Sequence, residues 1–304
     1  MKNLFRILKC VRVPQAFSVL AVLAVLLPLP VMAQGTLPRP AHIVIVIEEN
    51  HSFKQIIGNT KDAPYMNELA GLGASFTSFF ALRHPSQSNY ILLFSGERQG
   101  VEGDECLEKK PLFPAPSLGG ELINKGLSFK GYAEGLPGAG STVCKSGKYA
   151  RKHCPWVDFA DVKPQKDLSL PFSEFPKDFD KLPTLAFVIP NLDNDMHDGS
   201  IAQADTWLKD NLAAYVEWAK SNNGLLIITW DEDNTHCGGI MHNPCDTKPP
   251  SNRIPTILIG PMVKPGTYDK QHTHLNLLRT LEEMYGLPLL GGSQNAIAIT
   301  DVWK

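Results

Sequence analysis

Neither sign of charge prevails in this chain. Its 304 residues carry 29 Lys and Arg against 31 Asp and Glu, a formal net charge of −2. No global basic field therefore points to nucleic acid or to an anionic membrane. Beyond the first 33 residues there is no second apolar stretch of spanning length, no internal repeat and no low-complexity tract. Cysteine is scarce, at six residues, and the two serines of the segment RHPSQSNYILLFSG lie outside the G-x-S-x-G setting of a nucleophile elbow. No sequence feature sets an oligomeric state.

What is present begins with a leader. Lys2, Arg6, Lys9 and Arg12 precede AFSVLAVLAVLLPLP and then Val31-Met32-Ala33. A charged region, an apolar region and a small-residue end predict a secretory signal cut after Ala33, with the mature chain in the periplasm or the medium. Pro28 and Pro30 cut the apolar run short of a span, which argues against an uncleaved anchor and against stable membrane insertion afterwards. Removal leaves 271 residues, enough for a single catalytic domain over 34–304.

Export makes disulfides the default for Cys106, Cys144, Cys154, Cys237 and Cys245. Within HCGGIMHNPC a Cys237–Cys245 loop disulfide is favoured over structural zinc, Cys144–Cys154 is the next pair, and one thiol is left over.

Short apolar runs rich in β-branched residues read as strands: HIVIVIE (42–48), ASFTSFFAL (74–82), LSFKGYA (127–133), TLAFVIP (184–190), GLLIITW (224–230) and IPTILIGP (254–261). Segments 67–73, 118–126, 205–222 and 274–286 between them read as helices, several ending at Gly or Asn. The alternation predicts an α/β fold, a three-layer sandwich whose mainly parallel central sheet carries helices on both faces. Segments 97–118 and 163–183 read as surface excursions within one domain.

Polar residues follow the strands: Glu49-Asn50-His51; His84-Pro85-Ser86; Asp193, Asp195, His197 and Asp198; Asp231-Glu232-Asp233; and a loop with His272 and His274. In a parallel sheet such tails gather at the carboxyl edge, where ligands bind. Glu49, Asn50, Asp231 and Glu232 offer hard oxygens suited to a divalent cation, whose identity among Ca, Mg, Mn and Zn they leave open. A serine oxygen joining that shell loses its proton more easily, with no triad required. On spacing alone Ser86 is equally a nucleophile or the N-cap of the helix that YILLF begins.

EENHSF (48–53), HPSQSNY (84–90), GYAEGLP, YARKHCPW, NDMHDGS, ITWDED and HLNLLRTLEEMYGLP resemble, in order, the secreted acid phosphatases of the phosphoesterase family. That family includes phospholipase C type and phosphatidylinositol-3-phosphatase-like enzymes and belongs to the alkaline phosphatase superfamily. The resemblance spans about Ile43 to Pro288. It implies an alkaline-phosphatase-like fold and an exported, metal-dependent phosphatase acting on small phosphate monoesters or phosphoinositides through a phosphoserine. It makes Glu49 and Asn50 the first metal-binding pair, Asp231 and Glu232 the second, and Ser86 the phosphorylated residue. His197 and His153 are placed near the phosphoryl oxygens or the leaving group, and Lys152 becomes a phosphate binder. Asn89, His84, Asp198 and His274 are candidates on the substrate side. His84 alternatively shapes the turn before Pro85, and His197, Asp198 and His274 alternatively hold a second ion. Asp205 either helps hold the site's loop or is an acid near a helix start. The family's pattern carries Pro where this chain has Ser88, which reads as a first-turn helix residue. No C/S-x-P-x-R signature surrounds Ser86, which argues against a sulfatase, and no long apolar lid argues for a phospholipase C.

Overall fold

The computed structural model describes residues 37–234 and 251–304. Eight strands form the central sheet: His42–Glu48 (β1), Ala74–Phe76 (β2), Phe129–Ala133 (β3), Ser169–Pro171 (β4), Leu185–Ile189 (β5), Gly224–Trp230 (β6), Thr256–Ile259 (β7) and Gly266–Tyr268 (β8). Their order is β8-β2-β7-β6-β1-β5-β3-β4. Every strand runs one way except β7, which is antiparallel to β6 and β2. Buried apolar strands read alike in either direction, so the pattern of IPTILIGP carried no signal of this reversal.

The centre of the sheet positions the chemistry. β1 and β6 are apolar along almost their whole length because both faces are covered. Their parallel register sets Glu48 opposite Trp230, so Glu49 and Asp231 leave adjacent strands at the same level. The Asp231 N–H donates to the Glu48 carbonyl at 3.0 Å and continues the ladder past the last paired residues.

The run 74–82, expected as one strand, divides. β2 stays in the main sheet, while Phe79–Phe80 joins a three-stranded sheet with Arg253–Ile254 and His272–Thr273. That division turns the chain towards the carboxyl edge before Ser86.

Five helices matter here: Pro64–Leu72 (α1), Gln87–Ser95 (α2), Leu118–Asn124 (α3), Ile201–Ala219 (α4) and His274–Tyr285 (α5). α4 begins where NDMHDGS ends, with the Ser200 hydroxyl capping the Gln203 N–H. It buries Ala204, Leu208, Leu212, Tyr215, Val216 and Ala219 at helical spacing. Asp205 accepts from the N–H groups of Tyr65 at 3.1 Å and Met66 at 2.8 Å, so it caps α1 from another helix. On β3, a Cβ at Gly131 would lie 2.1 Å from the Trp156 ring. Only glycine admits that indole, which seats the segment carrying Lys152 and His153.

Among the described residues a disulfide joins Cys106 to Cys144, with Cα atoms 5.6 Å apart. Cys144 is therefore not paired with Cys154, whose free thiol is buried behind the turn at 151–153, 4.0 Å from the Ala150 carbonyl. Sequence proximity misled, because the excursion at 97–118 folds back onto residues 144–152. Cys237 and Cys245 lie outside the described residues. Among the described residues no helix is long and apolar enough to cross a membrane.

Candidate active site

Three tails converge beside Ser86. The Ser86 hydroxyl, 2% exposed, donates to Glu49 Oε2 at 3.2 Å. The Tyr90 hydroxyl donates to Glu49 Oε1 at 2.6 Å. Asn50 adopts the left-handed φ of 44°, which Asn tolerates, and its N–H reaches Asp231 Oδ1 at 3.2 Å. One terminal atom of the Asn50 carboxamide lies 3.3 Å from both Glu49 Oε2 and Asp231 Oδ1. As an NH2 it donates to both carboxylates; as an oxygen it completes a cradle that only a cation stabilises. Asp231 Oδ2 is buried with no hydrogen-bond partner, which also fits a cation.

The electrostatics point the same way. Burial, then Asp231 and Asp195, holds the Glu49 carboxyl well above its ordinary range. Burial and Glu232 do the same to Asp231, and burial followed by Asp104 raises Glu232 to about 8. Alone, such acids keep their protons; a cation among them would let them ionise. Hard oxygens from Glu49, Asn50 and Asp231, with Glu232 alongside, suit a divalent ion. A second grouping, Glu49, His153 and Asp195, also offers ligand atoms within 4.8 Å of one another.

His84 Nδ1 lies 3.1 Å from Glu232 Oε2 and its Nε2 lies 3.6 Å from Asp233 Oδ1, so the ring bridges these acids. Asn89 accepts from the N–H groups of Leu82 and Arg83 and donates to the Arg83 carbonyl and Glu232, which ties the turn before Ser86 to its helix. His153 is buried between Glu49 and Asp195, with ring nitrogens 3.2 and 3.6 Å from their oxygens. Burial, with Lys152 and His197 nearby, pushes its pKa well down. Its ring stacks on Tyr90, centroids 4.9 Å apart.

A cavity of about 330 Å³ lies next to this cluster, with Asp104, Cys106, Cys144, Lys152, His197 and Asp198 among its lining residues. The Lys152 ammonium pairs with Asp104 Oδ2 at 2.5 Å. His197 Nδ1 lies 2.7 Å from Asp198 Oδ1, and Lys148 holds Asp198 and Asp193 at 3.1 and 2.6 Å. His274 is not among the cavity's lining residues: its Nε2 lies 2.9 Å from the Trp230 carbonyl, one residue before Asp231. Burial pushes that imidazole down to about 4.

Tyr90 and Asp104 of this arrangement escaped the sequence reading, and Asp195 was named among the polar residues after the strands without a role of its own. Tyr90 carried a signal, since it sits four residues after Ser86 and such pairs share a helix face. Asp195 carried one too, within NDMHDG; its carbonyl accepts the Glu49 N–H at 2.8 Å. Asp104 carried none.

The mainly parallel α/β sheet, with acids, amide, hydroxyl and imidazoles at its carboxyl edge, is of alkaline-phosphatase-like fold. In fold, the chain is similar to an alkaline phosphatase superfamily protein from Vibrio parahaemolyticus, with a TM-score of 0.58 at 13% identity over 86% of this chain and 71% of that one. It is also similar to a lipoteichoic acid synthase from Listeria monocytogenes, with a TM-score of 0.53 at 10% identity over 84% and 74% of the two chains.

The chain belongs to the phosphoesterase family, whose model matches residues 59–288. It is 48% identical over 302 residues to a phosphatidylinositol-3-phosphatase of Mycobacterium tuberculosis, covering 96% of this chain and 95% of that protein. It is 29% identical over 280 residues to a probable acid phosphatase of Kluyveromyces lactis, covering 84% of this chain but 61% of the yeast protein. The chain is a hydrolase of phosphate esters.

Proposed function

We propose that the chain is an exported, metal-dependent phosphomonoesterase that works through a phosphorylated Ser86. The observation that carries this reading is the Ser86 hydroxyl, buried and bonded to Glu49 beside Asn50 and Asp231. A divalent ion held by Glu49, Asn50, Asp231 and Glu232 would supply positive charge to the serine oxygen and to the phosphoryl group. Ser86 Oγ attacks phosphorus in line as its proton passes to Glu49 Oε2, the acceptor it already faces. The Oγ–P bond forms and the ester P–O bond breaks, leaving the phosphoryl group on serine. Lys152, at the cavity wall, neutralises phosphoryl charge. His197 protonates the departing alcohol oxygen, oriented by Asp198. Water then attacks the phosphoserine with His197 as base, the Oγ–P bond breaks, Glu49 returns its proton to Ser86 Oγ, and phosphate leaves. His153 lies beside this carboxylate, its Nε2 3.2 Å from Glu49 Oε1.

In this reading residues 1–33 are a signal peptide cut after Ala33, and 34–304 form the catalytic domain. Phosphoinositide 3-phosphates enter as candidate substrates through the similarity to the mycobacterial protein. The test is Ser86→Ala, assayed on p-nitrophenyl phosphate, phosphatidylinositol 3-phosphate and phosphatidylcholine. Turnover of both monoesters by the parent and its loss in Ser86→Ala support the proposal. Normal turnover by Ser86→Ala removes the nucleophile, and preference for phosphatidylcholine makes the enzyme a phosphodiesterase instead.

A further inference from the structure

The excursion at 97–117 returns to grip the first turn of α2 at three points. The Ser88 hydroxyl donates to the Val101 carbonyl at 3.1 Å. The Gln87 N–H donates to Asp104 Oδ1 at 3.1 Å, and the Glu105 N–H donates to Gln87 Oε1 at 2.6 Å. Gln87 and Ser88 are each 1% exposed, so these contacts lie inside the protein although Asp104 sits at its surface. The next residue along, Cys106, is bridged to Cys144, whose carbonyl accepts the Arg151 N–H at 3.0 Å. Asp104 Oδ2 meanwhile takes the Lys152 ammonium at 2.5 Å. Two walls of the cavity, 104–106 and 144–152, are thus stapled together immediately beyond Ser86.

The helix start shows what this arrangement accomplishes. Serine is among the favoured N-cap residues, and an N-cap is ordinarily extended, with its side chain turned back onto the second or third N–H of the helix. Ser86 instead has helical angles, φ −42° and ψ −56°, and makes no side-chain cap. The cap on the Gln87 N–H comes from Asp104. Asp104 thus fixes the peptide that follows Ser86, while the serine hydroxyl, which makes no cap, faces Glu49.

We propose that Asp104, held by the Cys106–Cys144 disulfide, is a positioning residue for the reaction: it anchors the first N–H of the nucleophile's helix and so fixes the backbone beside Ser86. The inference rests on the reading of Ser86 as nucleophile. Ser88 has a place in it, since its hydroxyl is one of the tethers and proline at that position could not supply it.

The test compares Asp104→Ala, Asp104→Asn, Cys106→Ser/Cys144→Ser and Ser86→Ala, measuring kcat and KM on p-nitrophenyl phosphate at saturating metal, with thermal unfolding as the control for folding. Asp104→Ala should lower kcat about tenfold, near 1.4 kcal/mol of barrier, with KM moved less than about threefold. Asparagine keeps the acceptor for the Gln87 N–H but not the charge, so Asp104→Asn should restore kcat to within about twofold of the parent. The double serine variant should fall with Asp104→Ala, and combining the two should add little, because both act on one contact. Should that variant fail to fold, mild reduction of the folded parent replaces it. Parental kcat in Asp104→Ala overturns the inference, as does Asp104→Asn behaving like alanine or full additivity with disulfide loss. Ser86→Ala separates the two levels: if it stays active the nucleophile reading has failed, and if it alone is dead only the role of Asp104 has.

Discussion

Tyr90 donates its hydroxyl to Glu49 Oε1 from one helical turn beyond Ser86, which donates to the other oxygen of the same carboxylate. One helix thus orients both oxygens of the acid. Tyr90→Phe keeps the stack on His153 but leaves Oε1 short of a donor. We expect metal affinity to fall about tenfold, in the range seen when partners of metal ligands are removed, with kcat recovering as metal is raised. Unchanged metal dependence in a titration of activity would show that Glu49 is held without Tyr90.

His197 and Asp198 form the exposed imidazole–carboxylate pair at the cavity. If His197 protonates the leaving oxygen, its removal should matter in proportion to leaving-group basicity. His197→Asn should lower kcat/KM, which reports only the steps up to phosphoserine formation, on an alkyl phosphate about 100-fold. On p-nitrophenyl phosphate, whose phenolate departs without a proton, the loss should stay under about tenfold. Equal losses on the two esters would count against His197 as the acid.

Removing metal should abolish turnover and lower the unfolding temperature together, because Glu49, Asp195 and Asp231 are buried acids whose charges repel one another. An ion present at 100 times its Kd stabilises the fold by about 2.7 kcal/mol. Exhaustive chelation followed by separate addition of Mg, Mn, Ca and Zn tests this, with activity and melting read on the same samples. Full activity after chelation would eliminate the metal.

Glu282, remote from the site, gives a pH prediction on stability. Burial raises its carboxyl to about 7 from an ordinary 4.5, although the Ser293 hydroxyl and the Leu290 N–H pull the other way. A carboxyl whose folded pKa is the higher contributes stability that is complete below its unfolded value and lost as pH rises through the folded one. The melting temperature should therefore decline between about pH 5 and 8. Glu282→Gln keeps both hydrogen-bonded neighbours served and should flatten that decline; an unchanged slope assigns it to other groups.

Much of this was legible in the sequence, because it rests on short-range pattern. HIVIVIE and GLLIITW are buried on both faces and read as central strands, and the acids just after them reach the carboxyl edge at the level the parallel register sets. The motifs that resemble the phosphoesterase family lie within such local stretches, so family and fold class followed from the residues alone. What only the tertiary structure decided are contacts between segments whose local pattern is silent. Asp104 and Gln87 are 17 residues apart, and a lone Asp in a loop has no periodicity to place it. The Cys106–Cys144 pairing spans 38 residues, and an odd set of cysteines admits several pairings until the chain's path is known. The reversal of β7 and the seating of His274 on the Trp230 carbonyl were hidden for the same reason. Hydrophobic pattern shows that a segment is buried; which way it runs and what it touches are set by packing.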